Sequence, residues 1–202
     1  MLLRERILKI LREIDFSVDP EEFDWRYVQS RKPKSTEKFT KRHIYTFRTP
    51  KFKYVVYSDE YDYQLFIISF FPKLQDDFFA RQQKLAGSGQ RYYDEYSFQT
   101  KENIPLKIFG LLQNYVKQIL SEKPNASFGY FGAADFKQLG DADLFNTKRV
   151  RIYNEMLVKE FGQTHELISE ERFSGSLFLN KEVLSEYPEI VDYGRDVLIS
   201  HL

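Results

Sequence analysis

The run Leu65-Phe66-Ile67-Ile68-Ser69-Phe70-Phe71 constrains this chain most, because a stretch apolar on both alternating faces and interrupted only by Ser69 suits a strand buried on both sides. Two further strand patterns precede it at short range, over His43–Arg48 and Phe52–Tyr57, and the third extends over Tyr63–Phe71. All three are rich in β-branched and aromatic residues. The separators Thr49-Pro50-Lys51 and Ser58-Asp59-Glu60 have turn composition. Connections this short join antiparallel neighbours, since a parallel pair needs a crossover, so an antiparallel meander with a central third strand is expected.

Upstream, Leu3, Ile7, Ile10, Leu11 and Ile14 recur at helical spacing and predict an amphipathic helix over Leu2–Ile14. Asp19-Pro20 punctuates, and Glu21–Gln29, with the single Trp25, reads as a second short helix. Downstream, Asp76–Ala86 has a helical pattern stopped by Gly87, and Tyr92–Thr100 can return as a strand. The pattern leaves the conformation of 76–90 open among helix, loop and lid. The strongest helix is Asn103–Glu122, where Ile104, Ile108, Leu111, Leu112, Tyr115 and Ile119 make one stripe and Lys123-Pro124 ends it. A strand over Ala126–Gly132, a loop over 133–143, a second long helix over Thr147–Phe161, strands over Thr164–Ser169 and Phe173–Leu179, and a terminal helix over Glu189–Leu202 complete the order. The expected class is therefore α/β of the α+β kind in one domain, 1–202. It contains N-terminal helices within 1–30, two long helices flanking a mixed sheet, and a helical extension over 181–202.

Thirty cations balance thirty carboxylates, so the whole molecule has no field that gathers nucleic acid. The stretch 31–53 is the exception, with nine cations against Glu37 alone. It interleaves them with Phe39, His43, Tyr45, Phe47, Phe52 and Tyr54, a pattern able to follow a phosphate backbone while stacking bases. Simple amphipathic alternation in a strand pair gives the same pattern. Without cysteine there are no disulfides, thiolate metal sites or cysteine nucleophile. No apolar run approaches the ~18 residues that cross a bilayer, and the charged N-terminus does not suit a secretory signal. A cytoplasmic location, no membrane and no metal are expected. His43, His165 and His201 are scattered and read as satisfied or surface histidines.

Chemistry concentrates at Phe145–Tyr153, where Asn146 or Thr147 suits a helix N-cap and Phe145 and Val150 suit a hydrophobic staple. Lys148, Arg149 and Arg151 then oppose the helix macrodipole within the first turn. Positive charge over free helix amides suits a phosphate or carboxylate, an anion-binding helix N-terminus. Neutralisation by Asp141 and Asp143 is the alternative.

Two helices, three meandering strands, a long helix, a strand, a second long helix and two last strands is a succession that resembles the GNAT-type N-acetyltransferases. The Asn146 and Tyr153 spacing at the start of the second long helix is similar to a pattern of that family. The resemblance implies coenzyme A or acetyl-coenzyme A as cofactor, Tyr153 as the acid protonating the departing thiolate, and Asn146, Thr147, Lys148, Arg149 and Arg151 as cofactor contacts. In place of the family's glycine-rich cradle the chain reads Thr100-Lys101-Glu102-Asn103-Ile104-Pro105, and Pro105 lacks an amide proton. Lys84-Leu85-Ala86-Gly87-Ser88-Gly89 comes nearest to that cradle but lies well before the helix. The implied function is an atypical or inactive acyl-CoA-dependent N-acyltransferase. A non-catalytic module for a protein partner or a homodimer, and a nucleic-acid binder through 31–53, are the alternatives.

Overall fold

The computed structural model describes residues 20–73, 105–131, 148–170 and 175–201. Seven strands form one sheet: β1 Arg26–Arg31, β2 Lys41–Arg48, β3 Lys53–Glu60, β4 Leu65–Pro72, β5 Ser127–Phe131, β6 His165–Glu170 and β7 Gly175–Asn180, in the order β1-β2-β3-β4-β5-β7-β6. The described helices are α1 Pro105–Glu122, α2 Lys148–Phe161, α3 Lys181–Glu186 and α4 Ile190–Ile199. Every neighbouring pair is antiparallel except β4 and β5. The architecture is thus mixed α and β, with the apolar β4 in the middle of the sheet as its pattern requires.

The period-2 alternation of the strands separates two cores. Phe66 and Ile68 of β4 join Phe47, Val56, Phe128 and Phe178 under α1 and α2, where Ile108, Leu111, Tyr115, Met156 and Phe161 point inward. Leu65 and Ile67 face the other way, against Leu177, Leu179 and the α4 residues Val197 and Leu198. Helix α4 approaches closely because Gly129 and Gly194 carry no side chain. A Cβ on Gly194 would stand 2.9 Å from Leu177 Cδ1.

Several expectations are corrected. Glu21–Gln29 is not a helix: a 3₁₀ turn over Pro20–Phe23 ends at Asp24, which has φ 50°, and β1 follows. There Trp25 stacks on Tyr45 at 5.2 Å and also contacts Phe47 and Tyr115, so packing on the sheet overrides local propensity. Ser58, Asp59 and Glu60 are not a turn but the end of β3, and the reversal falls on Tyr61–Gln64, with Tyr63 and Gln64 at φ 56° and 54°. Asp59 tolerates a strand because Arg42 binds it through two bonds of 2.5 and 2.6 Å. The terminal helix expected over Glu189–Leu202 is α4, and a further short helix, α3, precedes it within the 181–202 extension, started by the Asn180 side chain, which accepts from the amides of Glu182 and Val183. The N-terminal helix over 2–14, the segments over 76–100 and Asn103 lie outside the described residues.

Candidate functional site

The parallel pair fixes where a site can lie. Helix α1 connects β4 to β5 and runs back along them: its C-terminal Lys123 pairs with Glu60 beside the start of β4, and its N-terminal turns reach the carboxyl ends of both strands. Helix α2 repeats this, since Phe161 near its end packs on Phe178, the register partner of Phe128 early in β5. Both helices therefore begin at one end of the sheet. Phe109 in α1 and Tyr153 in α2 stack there, with centroids 4.6 Å apart and planes 15° from parallel. Tyr130 meets Tyr153 edge to face at 6.4 Å.

At the same level the pairing of the two parallel strands ends. Ile68 and Tyr130 are their last registered pair. Beyond it β4 continues through Ser69–Pro72 paired with β3, and among the described residues no strand takes its other edge. Ligands of sheets with parallel strands commonly settle at the carboxyl ends of the strands.

A polar row lies at this level of the sheet. Tyr130 of β5 lies opposite Ser176 of β7, which lies opposite Ser169 of β6, so the three side chains share one face of the sheet. The Tyr130 hydroxyl donates to Asn154 Oδ1 on α2, and Asn154 Nδ2 donates to Ser169 Oγ at 3.2 Å. Ser176 is 0% exposed, and its hydroxyl lies beside that of Tyr130 and interacts with it. Burial pushes the Tyr130 hydroxyl well above the ordinary phenol range, with Tyr153 adding to the effect and Ser176 opposing it. Tyr130 consequently stays protonated at any physiological pH.

Of the residues singled out in the sequence, Tyr153 stands at this junction, half-buried. Lys148, Arg149 and Arg151 fall in the first turn of α2, at the same end of the sheet. Their side chains, and Asn146 and Thr147 altogether, lie outside what the structure describes, as does Lys84–Gly89. Pro105 opens α1, where a missing amide proton is harmless to the helix but removes a donor from that terminus. Tyr130, Asn154, Ser169 and Ser176 were missed. Nothing local marks them, because strand pairing over long sequence separation brings them together.

The three arginines of the basic stretch have carboxylate partners. Arg31 binds Glu37 through two bonds of 2.6 Å, and Arg42 binds Asp59, which is 1% exposed. Both guanidinium groups lie over the Phe39 ring, Arg31 at 5.1 Å and Arg42 at 4.7 Å from its centroid. Arg31 holds the Glu37 carboxyl down at about 2. Arg48 lies 3.9 Å from Asp24. Tyr45, Phe47 and Tyr54 are buried in the core rather than offered for stacking.

The histidines have structural partners. His165 Nε2 donates to the Ala126 carbonyl at 2.9 Å, the ring stacks on Phe178 at 5.3 Å, and Nδ1 lies 2.8 Å from Thr164 Oγ1. His201 Nε2 meets the Tyr61 hydroxyl at 2.6 Å, and His43 lies 3.7 Å from Glu60. Among the described residues no group of three His, Asp or Glu is arranged to hold a metal ion, and no described helix is long and apolar enough to cross a membrane. No protein-family model, curated protein or solved structure matches the chain.

Proposed function

We propose that the chain is a GNAT-like acyltransferase with an atypical cofactor loop, passing an acyl group from coenzyme A to an amine in the cytoplasm. The observation that carries the reading is the end of the β4–β5 pairing at Ile68 and Tyr130, with the N-terminal turns of α1 and α2 and the Tyr153 ring gathered at that level of the sheet. The order β2-β3-β4-α1-β5-α2-β6-β7 also follows the succession on which the resemblance rests. Bound acyl-coenzyme A supplies an acyl thioester activated toward amines. The first-turn amides of α2, with Lys148, Arg149 and Arg151, suit its phosphates, and they carry more of that load than α1 because Pro105 removes an amide there. Tyr153 holds the phenolic proton that a leaving thiolate takes. In balance, a C–N bond forms, the C–S bond breaks, and the proton lost by nitrogen replaces the one given by Tyr153.

Titration with coenzyme A and acetyl-coenzyme A tests this. Ligand at 100 times its dissociation constant adds about 2.7 kcal/mol of stability, and an unchanged melting temperature at millimolar cofactor refutes it. One observation favours a second reading, a non-catalytic interaction module: Tyr27 and Val28 on the edge strand β1 are 54% and 51% exposed. That module would dock a protein partner or a second copy of the chain.

A further inference from the structure

We infer that the end of the molecule around the β3–β4 turn is a docking surface for a second copy of this chain, paired about a two-fold axis. Two oppositely charged surfaces lie side by side there. In the acidic one, the turn sets the Tyr63 ring against Tyr187 at 5.6 Å and Tyr193 at 5.4 Å, so the tyrosines tie the turn to α4 and the residue before it. Around them stand the exposed residues Asp62, Glu186 and Glu189, and the Tyr63 hydroxyl donates to Glu189 Oε1 at 3.3 Å. Glu186, hydrogen-bonded to Tyr187, holds that hydroxyl above the ordinary phenol range. The cations of the same helices are engaged elsewhere, Lys181 with the Gly162 and Gln163 carbonyls and Arg195 with Asp192.

The basic surface is the loop between β1 and β2. Phe39 meets Tyr61 edge to face at 6.5 Å, the Thr40 hydroxyl donates to the Glu60 carbonyl, and Lys41 is in register with Glu60, so the loop ends beside the turn that carries Tyr63. Arg31 is held by Glu37 and Arg42 by Asp59, whereas Lys32, Lys34, Lys38 and Lys41 are exposed. Among the described residues no ion pair joins these lysines, or Asp62, Glu186 and Glu189, to an opposite charge. A surface with positive and negative halves is self-complementary under a two-fold rotation, which lays the lysines of each copy on the carboxylates of the other and gathers the tyrosines between them. Tyrosine suits the centre of such a contact, and Tyr187 is 40% exposed in the single chain. The chain carries no formal net charge, so no overall repulsion opposes the pairing. This surface adjoins the start of β4, at the other end of the sheet from Tyr153, and the contact is independent of acyl transfer.

Sedimentation velocity on the full chain tests the surface. The expected result is a concentration-dependent dimer that weakens as salt is raised from about 50 to about 500 mM. Glu186→Lys with Glu189→Lys, and separately Lys34→Glu with Lys38→Glu, should each raise the dimer dissociation constant about tenfold or more, since like charges then face each other. These positions are exposed, so both variants should keep the parent melting temperature. Mixed in equal amounts, the two variants should form a dimer with each other, because opposite charges then meet on both halves of the contact. Tyr187→Ala, which removes an exposed ring, should weaken the parent dimer about tenfold. A chain that is monomeric at every concentration, a dimer unmoved by both charge reversals, or variants that fail to recombine overturns the surface.

Discussion

Gly129→Ala tests the packing of α4 on the sheet, and its consequence follows from three distances. The added Cβ would lie 2.5 Å from Ile67 Cδ1 and 3.3 Å from both Leu177 Cδ2 and Leu198 Cδ2. Carbon atoms pack best at about 3.5–4.0 Å. The leucines need yield only a few tenths of an ångström, whereas the Ile67 terminal methyl must move by about 1 Å in a core where Ile67 is itself buried. Overpacking of this kind costs about 1–3 kcal/mol, and replacing glycine returns about 0.4–1 kcal/mol by restricting the unfolded chain. A net loss of about 1–2 kcal/mol lowers the melting temperature by roughly 2–8 °C at this chain length. Ile67→Val removes the offending methyl and alone costs about 0.5–1.5 kcal/mol. The double variant should therefore lose less than the sum of the two singles, by about 1 kcal/mol, because the new methyl fills space left by the old one. Urea denaturation of the four proteins with a common slope measures the coupling. Additivity within about 0.5 kcal/mol would show that Gly129 is not limited by Ile67.

Arg42→Met should destabilise by about 3–5 kcal/mol, since it leaves the buried Asp59 carboxylate unpaired. Arg42→Met with Asp59→Asn should recover part of that in the same urea assay, and an unaltered midpoint for the single variant would deny the pair its role. Burial lowers the pKa of His165 and His201, and of His43 with Lys41 adding to it, each from an ordinary value of 6.5. Their contribution is complete above 6.5 and is lost as the pH falls toward the depressed folded values, because the unfolded chain takes up protons that the folded chain refuses. Melting temperature should accordingly fall between pH 7.5 and 5.5, and less steeply in His165→Asn, a trend that a flat profile would contradict. Glu37 acts lower, its stabilisation being lost as the pH falls from 4.5 to about 2, so Arg31→Gln should flatten stability in that window alone.

What could be read from the residues divides by range of interaction. The meander and both long helices were legible because their signals lie within single elements: the apolar run of β4, and the stripe of Ile108, Leu111, Leu112, Tyr115 and Ile119 that is buried in α1. Strand β1 was not, since its residues Arg26–Ser30 are all exposed and show no alternation; its pairing with β2, not its own composition, makes it a strand. Asp59 looked like a turn residue because the guanidinium that satisfies it stands seventeen positions earlier in the chain. The same division runs through the site. Tyr153 and the cations of α2 were found because they share one helix start with a local signature. Tyr130, Ser176 and Ser169 come from three strands whose register is set by Gly129, Leu177 and Ile168 pairing across the sheet. A helix start can be proposed from spacing alone, but the polar row beside Tyr153 is made by the sheet. A one-residue shift of β7 would turn Ser176 to the opposite face and dissolve the row while leaving Tyr153 and its helix where they are.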